Sequence, residues 1–199
     1  MNRRRMTVLA IVAASILVTV VLALAGAGRE ATALAAAPRQ IITETVMLAP
    51  SQDNTLYQSE LGTVSNGKGA YLFAGNTNNG LARRAVVAFD VAGALPAGAT
   101  VLSAEVSLQV SRLQPGADES AIGLHALARD WGEGASDAAG EEGAGALAQT
   151  GDATWLHTFY DTATWTQPGG DFGPALATTT VAGTGRYGWA SAALTVDVQ

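Results

Sequence analysis

The chain has 199 residues, of which 48% are hydrophobic and 14% are charged, and its formal net charge is −6. This length suits one domain plus a targeting segment, and the lack of cysteine excludes disulfides, thiolate metal sites and cysteine nucleophiles. Four of the 11 basic and one of the 17 acidic residues lie in the first 35 positions, which leaves a net charge of −9 for the remainder. So acidic a domain is unsuited to nucleic acid, which requires clustered Lys and Arg.

Residues 1–35 predict a signal peptide or a membrane anchor helix. Three arginines at 3–5 precede an uncharged apolar run at 6–28, and Ala-Leu-Ala at 33–35 fits a cleavage signal. The run is longer than the ~7–15 residues of a usual leader core and approaches the ~20 that span a bilayer. An uncleaved anchor is therefore the alternative. Either way we expect a secreted or cell-surface protein that meets the membrane only through this segment.

After a linker at 36–40, residues 41–199 are predicted to form one β-rich domain. The predicted strands are separated by Gly-, Pro- and Asn-rich turns, and they are 41–48, 55–57, 70–74, 83–91, 102–110, 121–128, 175–181, 185–189 and 192–198. Apolar and polar residues alternate most clearly in 102–110, as in a strand with one buried and one wet face. Half-wet strands are typical of antiparallel sheets. We therefore expect an all-β fold, an antiparallel β-sandwich.

Catalytic and metal motifs are weak in this sequence. There is no G-x-S-x-G motif, and His125 and His157 are too far apart to form a zinc-binding pattern, so we expect no enzyme. Seven carboxylates crowd 130–171 between glycines, where hard cations find oxygen ligands; they are Asp130, Glu133, Asp137, Glu141, Glu142, Asp152 and Asp171. A solvated acidic loop is the first interpretation and a structural calcium site is the alternative. No other cofactor is expected.

The best ligand-site candidate is the stretch from Asp152 to Trp165. Asp-Ala-Thr-Trp at 152–155 recurs as Thr-Ala-Thr-Trp at 162–165, with Tyr160 between the two copies. The electron-rich face of an indole can stack on the C–H groups of a sugar ring. Trp155, Trp165, Tyr160 and Asp152 are therefore the candidate ligand-binding residues. Packing in the core is the competing interpretation, and it applies also to Trp131 and Trp189.

An ordered set of motifs over about residues 45–199 resembles the DNRLRE-domain family. The motifs are Ala-Pro-Ser-x-Asp-Asn at 49–54, Tyr-Leu-Phe-Ala-Gly at 71–75, Arg-Arg-Ala-x-x-Ala-Phe-Asp at 83–90, Leu-Pro-Ala-Gly-Ala at 95–99, Asp-Trp-Gly-Glu-Gly at 130–134, Asp-Ala-Thr-Trp at 152–155 and Leu-Thr-Val-Asp-Val-Gln at 194–199. The resemblance implies a jelly-roll-like β-sandwich of exported bacterial or archaeal proteins, a family that includes disaggregatase-related domains. Some relatives are carbohydrate-binding modules attached to polysaccharide-degrading enzymes. The family's Arg-rich closing motif does not appear before Gln199, so we expect the domain to be truncated at its C-terminal end.

The sequence thus predicts a non-catalytic, exported β-sandwich that binds or organises extracellular or cell-wall polysaccharide. The alternative is a purely structural surface module that spaces or stabilises a larger protein and has no small ligand. Burial of all four tryptophans would favour this alternative.

Overall fold

The computed structural model describes residues 8–23 and 41–199. The expected cleavage signal at 33–35 and the linker at 36–40 lie outside the described residues. The strands are β1 (Val8–Ala23), β2 (Ile41–Leu48), β3 (Gln52–Tyr57), β4 (Val64–Ser65), β5 (Leu72–Asn76), β6 (Ala82–Ala88), β7 (Thr100–Leu113), β8 (Ser120–Leu127), β9 (Ala146–Leu147), β10 (His157–Phe159), β11 (Ala163–Thr164), β12 (Phe172–Val181) and β13 (Gly185–Ala190). The helices are α1 (Val91–Ala94) and α2 (Ala192–Val198).

Antiparallel pairing connects the strands of the described segments, as the sequence predicted for an all-β fold. One sheet has seven strands in the order β13-β7-β1-β5-β6-β3, with β2 also paired to β1. Three further pairs form small sheets, namely β8 with β12, β10 with β11, and β4 with β9.

The apolar N-terminal segment is a strand and not the helix expected of a leader or anchor. β1 pairs with β7 along one edge, and with β5 and then β2 along the other. Its run of Val, Ile, Leu and Thr suits a strand, and a continuous apolar run shows no period-two pattern that would distinguish it from a helix. Among the described residues, none of the helices is long and apolar enough to cross a membrane. Export and cleavage of this segment stay predictions.

The main core lies under β1, β7 and β13. Alternate residues of β7 from 104 to 110, such as Val106 and Val110, are buried there beside Val18 and Trp189, as the period-two pattern predicted. Leu102, at the start of the predicted pattern, lies at a register shift between β7 and β1 and is 53% exposed. Side chains of β8 and β12 pack against the same cluster, and the Trp189 indole N–H donates to the carbonyl of Ile122 in β8 at 2.7 Å. The β8–β12 pair therefore contributes side chains to the main core.

A second core lies where the irregular stretch 128–156 crosses β3 and β6. Leu56 and Val86 of these strands are buried against three indoles, those of Trp131, Trp155 and Trp165. Because burial of large aromatic side chains contributes much of the apolar area of a core, these indoles fix the stretch to the sheet.

The predicted strand at 192–198 is wrong, because α2 occupies this segment. Leu194 and Val198 are four residues apart, so they share one face of a helix, and both contact the main core. Ser191 caps the helix, since its Oγ accepts the N–H of Leu194 at 3.0 Å. Leu194 and Val198 fit the four-residue spacing of a helix, whereas Val196 points away from the core and is 76% exposed.

Replacing the cap residue tests this account. Ser191→Ala removes the acceptor for Leu194 and the donor to the carbonyl of Leu176 (2.6 Å), so we expect a loss of about 2 kcal/mol in the free energy of unfolding. Denaturant titration measures it. Ser103→Ala, on the exposed face of β7, is the matched control and should change stability by less than about 0.5 kcal/mol. Equal effects of the two substitutions would contradict the role of the cap.

Candidate functional site

Asp152 is a structural clamp and not an exposed ligand contact. Its carboxylate is fully buried. Oδ1 accepts the backbone N–H groups of Ala135 (2.6 Å) and Ser136 (3.2 Å), and Oδ2 accepts that of Gln149 (2.7 Å). Gly134 lies so close to Oδ1 that a Cβ there would collide with it, and its φ of +77° also favours glycine. The side chain therefore holds both ends of the acidic run 135–151 and has no face toward solvent.

The Asp-Trp-Gly-Glu segment at 130–133 anchors the same stretch to β3. The Glu133 carboxylate accepts the N–H of Asp53 at 3.0 Å, and its carbonyl accepts the side chain of Asn54 at 2.8 Å. Burial, and secondarily the charge of Glu133, raises the pKa of Asp53. Trp131 packs in the second core. These contacts give the motif a structural role in the fold.

A buried polar network underlies the acidic run. Asn54 donates to Ser65 Oγ (2.9 Å), and its Oδ1 accepts the N–H of Asn66 (3.1 Å). Asn66 in turn donates to the carboxylate of Glu142 at 3.0 Å. Glu142 is also buried and accepts the N–H groups of residues 70 and 71 at 3.1 and 3.0 Å, while the Tyr57 hydroxyl donates to its carbonyl at 3.1 Å. Such a network stabilises a core because its buried donors and acceptors are paired.

The Trp155 indole is inaccessible for stacking. The Arg84 guanidinium lies over its ring, with Cζ 4.9 Å from the centroid, and also 4.6 Å from the ring of Phe172. Arg84 is fixed by a 2.6 Å hydrogen bond to the carbonyl of Gly169, and burial lowers the pKa of this guanidinium. A sugar could reach this indole face only by displacing Arg84.

Trp165 is likewise used inside the protein. Its indole N–H donates to the carbonyl of Thr154 at 2.9 Å, and the ring packs in the second core. The relative exposures of Trp131, Trp155, Trp165 and Trp189 are 8%, 8%, 5% and 1%. The two halves of the repeated Ala-Thr-Trp motif thus meet, because each tryptophan closes the same core.

Tyr160 is the one predicted site residue with a partly exposed side chain. Its ring meets that of His157 edge-on, with centroids 5.1 Å apart. The His157 Nδ1 is hydrogen-bonded to Thr154 Oγ1 at 3.0 Å. His125 lies on β8, hydrogen-bonded to the carbonyl of Gly173 at 2.8 Å. The structure does not bring Tyr160 and the indoles together as a single exposed platform.

The predicted acidic cluster is dispersed. Within the described residues, no group of three or more His, Asp or Glu side chains is arranged to hold a metal ion. Glu142 and Asp152 are occupied by backbone donors, Glu141 pairs with Arg112, and Asp171 pairs with Arg129 at 2.9 Å. A calcium site has no residues gathered for it in this part of the chain.

A cleft of about 380 Å³ lies between β5, the end of β7 and the acidic run. Tyr71, Leu113 and Pro115 form much of its apolar wall, and Gln114 and the Arg112–Glu141 ion pair contribute polar groups. Sequence reasoning missed this cleft, because its walls come from segments far apart in the chain. It also missed Asn54 and Asn66, because β3 begins with four polar residues and Asn66 directly follows β4, and such positions are typical of an exposed turn.

Asp171 closes the turn that follows Trp165. The N–H of Thr166 donates to its Oδ2 at 2.9 Å and is the main cause that lowers the pKa of Asp171, against a smaller opposing effect of burial. The N–H of Gln167 (3.0 Å) and the charge of Arg129 lower the pKa further.

No family model, curated protein or solved structure was found to match this chain. The resemblance to the DNRLRE-domain family therefore stays a prediction.

Replacing the Asp152 clamp tests its structural role. In Asp152→Asn, an amide N–H₂ faces buried N–H donors in place of a carboxylate oxygen, so we expect a loss of about 2–4 kcal/mol in the free energy of unfolding. Asp161→Asn is the control, because Asp161 is exposed and its φ of +64° is tolerated by Asn; it should cost less than about 0.5 kcal/mol. An Asp152→Asn protein as stable as the control would contradict the clamp.

Because of Asp171, the free energy of unfolding should decrease at acid pH. Because its pKa is lower in the folded state, its stabilising contribution is fully present above the unfolded pKa of about 4 and is lost as the pH falls through the folded pKa. We expect Asp171→Asn to be less stable than the wild type above about pH 5 and to converge with it in acid. Denaturant midpoints measured across this pH range test the prediction. A constant difference at all pH values would contradict it, and Asp197→Asn, an exposed substitution on α2, is the control.

Proposed function

We propose that this chain is a non-catalytic structural module, which spaces or stabilises a larger secreted or cell-surface protein and binds no small ligand. The observation that carries the proposal is the burial of all four tryptophans. The residues best suited to bind a sugar are already packed, hydrogen-bonded or covered by Arg84. Their role is to hold an irregular stretch against a sheet.

The proposed fold is an antiparallel, jelly-roll-like β-sandwich related to the DNRLRE-domain family. The contacts of β8 and β12 with the main core support two facing layers. The Asp-Trp-Gly-Glu and Asp-Ala-Thr-Trp motifs, which carry the resemblance, form the anchoring contacts of the second core. Export is supported by the basic start and apolar run of the first 28 residues.

A non-enzymatic role is supported by the carboxylates. Glycoside hydrolysis commonly uses two carboxyl groups that face each other across a cleft. The described cleft is lined by one carboxylate, Glu141, and that group is paired with Arg112. The buried Glu142 and Asp152 carboxylates accept backbone N–H groups and face no open space.

Polysaccharide binding at the cleft is the second candidate function. The cleft has the size of a small ligand site, and the partly exposed Tyr71 ring lies in its wall beside Gln114. An aromatic face with neighbouring hydrogen-bonding groups is the arrangement that a sugar ring requires. This candidate places the polysaccharide away from Trp155 and Trp165.

Two substitutions distinguish these functions. We expect the wild type to bind no glycan on an array of cell-wall and extracellular polysaccharides, and Trp155→Ala to lose about 3–5 kcal/mol of stability because it empties a core site. Tyr71→Ala is the matched aromatic truncation at the cleft. Glycan binding that Tyr71→Ala abolishes without loss of folding would overturn the structural proposal in favour of the cleft. Glycan binding that is lost in a folded Trp155→Ala protein would instead support the stacking site predicted from the sequence at Trp155 and Trp165.

A further inference from the structure

β1 occupies a slot between two halves of the seven-stranded sheet. One edge pairs with β7 from Leu9–Leu113 to Val21–Thr100. The other edge pairs with β5 over residues 8–11 and with β2 over residues 16–23. In the described chain, β2 has no other strand partner. Without β1, the β7–β13 half would have no ladder to the β5-β6-β3 half.

The inward face of β1, which fills the slot, is apolar at every second residue. Ile16, Val18 and Val20 face inward and are 2%, 0% and 0% exposed. Leu17, between them, faces the opposite side of the sheet and is 37% exposed. The slot therefore selects for apolar side chains at alternate positions, and its two edges select for an extended backbone.

The covalent link between β1 and the rest of the sheet runs through residues 24–40. The predicted cleavage signal at 33–35 lies within this link. A cut there leaves every paired residue of β1 and β2 in place. It changes β1 from a covalent part of the domain into a separate peptide held by hydrogen bonds and packing. The same residues cannot form this strand while they lie in a membrane as a helix, so the two conformations exclude each other.

We propose that the slot between β7 and the β2–β5 edge is a strand-acceptor site, and that its occupant is the apolar segment Val8–Ala23 held as a removable strand. The acceptor site, defined by the facing edges of β2, β5 and β7, takes a strand that is antiparallel to all three neighbours and whose inward-facing side chains are apolar. It keeps this strand after the link is cut, and it accepts the same strand supplied as a free peptide. This is β-strand addition within a sheet, in which main-chain hydrogen bonds supply affinity and alternate side chains supply specificity.

The experiment uses the full chain with a specific protease site inserted between residues 24 and 40. After cutting, we expect the two fragments to co-elute as one monomeric species by size-exclusion chromatography and mass spectrometry, with an unchanged circular dichroism spectrum. A fluorescent peptide of residues 8–23, carrying terminal lysines for solubility, should then exchange into the cut protein and raise the anisotropy. Release of the strand with no change in the spectrum or thermal stability of the larger fragment would overturn the proposal. Recovery of a dimer with exchanged strands would overturn the assignment of the chain's own segment as occupant.

Two variant peptides test the register. Val18→Lys places a charge at the fully buried position, so its affinity should fall by at least about 100-fold. Leu17→Lys places the same charge on the outer face, opposite Glu105, and should bind within about threefold of the unmodified peptide. Equal binding of the two variants would show non-specific hydrophobic adsorption and would overturn the acceptor site.

Discussion

The fold depends on pairing the backbone polar groups of the long irregular stretch that crosses β3 and β6. Buried N–H and C=O groups require partners, and residues 128–156 contain a single two-residue strand, β9, to supply them. Backbone-to-backbone hydrogen bonds pair part of the stretch, as from Ala153 to Gly132. In addition, Asp152 accepts the N–H of Ala135, Glu142 accepts that of Ala70, and Asn54 donates to the carbonyl of Glu133. The three side chains are fully or nearly buried, so their polarity serves the fold and not a solvent-facing site.

The indoles act together with this network. Asp152 holds the ends of the acidic run, and beside it Trp155 and Trp165 pack against Leu56 and Val86 and exclude water from the neighbouring hydrogen bonds. Exclusion of water strengthens buried hydrogen bonds. Arg84 completes the arrangement by covering Trp155 and bonding the carbonyl of Gly169. The tryptophans that the sequence suggests as a sugar-binding platform are thus packed inside the second core.

Much of the sheet could be predicted from the sequence. The strand 41–48 has the predicted bounds, and 102–110 lies within β7. Ala104, Val106, Leu108 and Val110 are buried as the alternation predicts, but Leu102 is 53% exposed. The short strands β4, β9, β10 and β11 were not predicted, and two predicted elements have the wrong type of secondary structure. Residues 8–23 were expected to be helical, because an apolar run without period gives no sign of whether strands or lipid will cover it. Residues 192–198 were expected to be extended, because apolar residues at every second position include the four-residue spacing of a helix.

The sequence by itself determined the β class, the antiparallel pairing and the acidic, cysteine-free character, because these follow from local periodicity, turn residues and composition. It also placed Trp155 and Trp165 in one neighbourhood through their repeated motif. Only the tertiary structure decided which way the indoles face and which carboxylates are satisfied. Those outcomes depend on contacts between segments distant in the chain, such as Arg84 with Trp155 and Asn66 with Glu142, and neither periodicity nor spacing records such contacts.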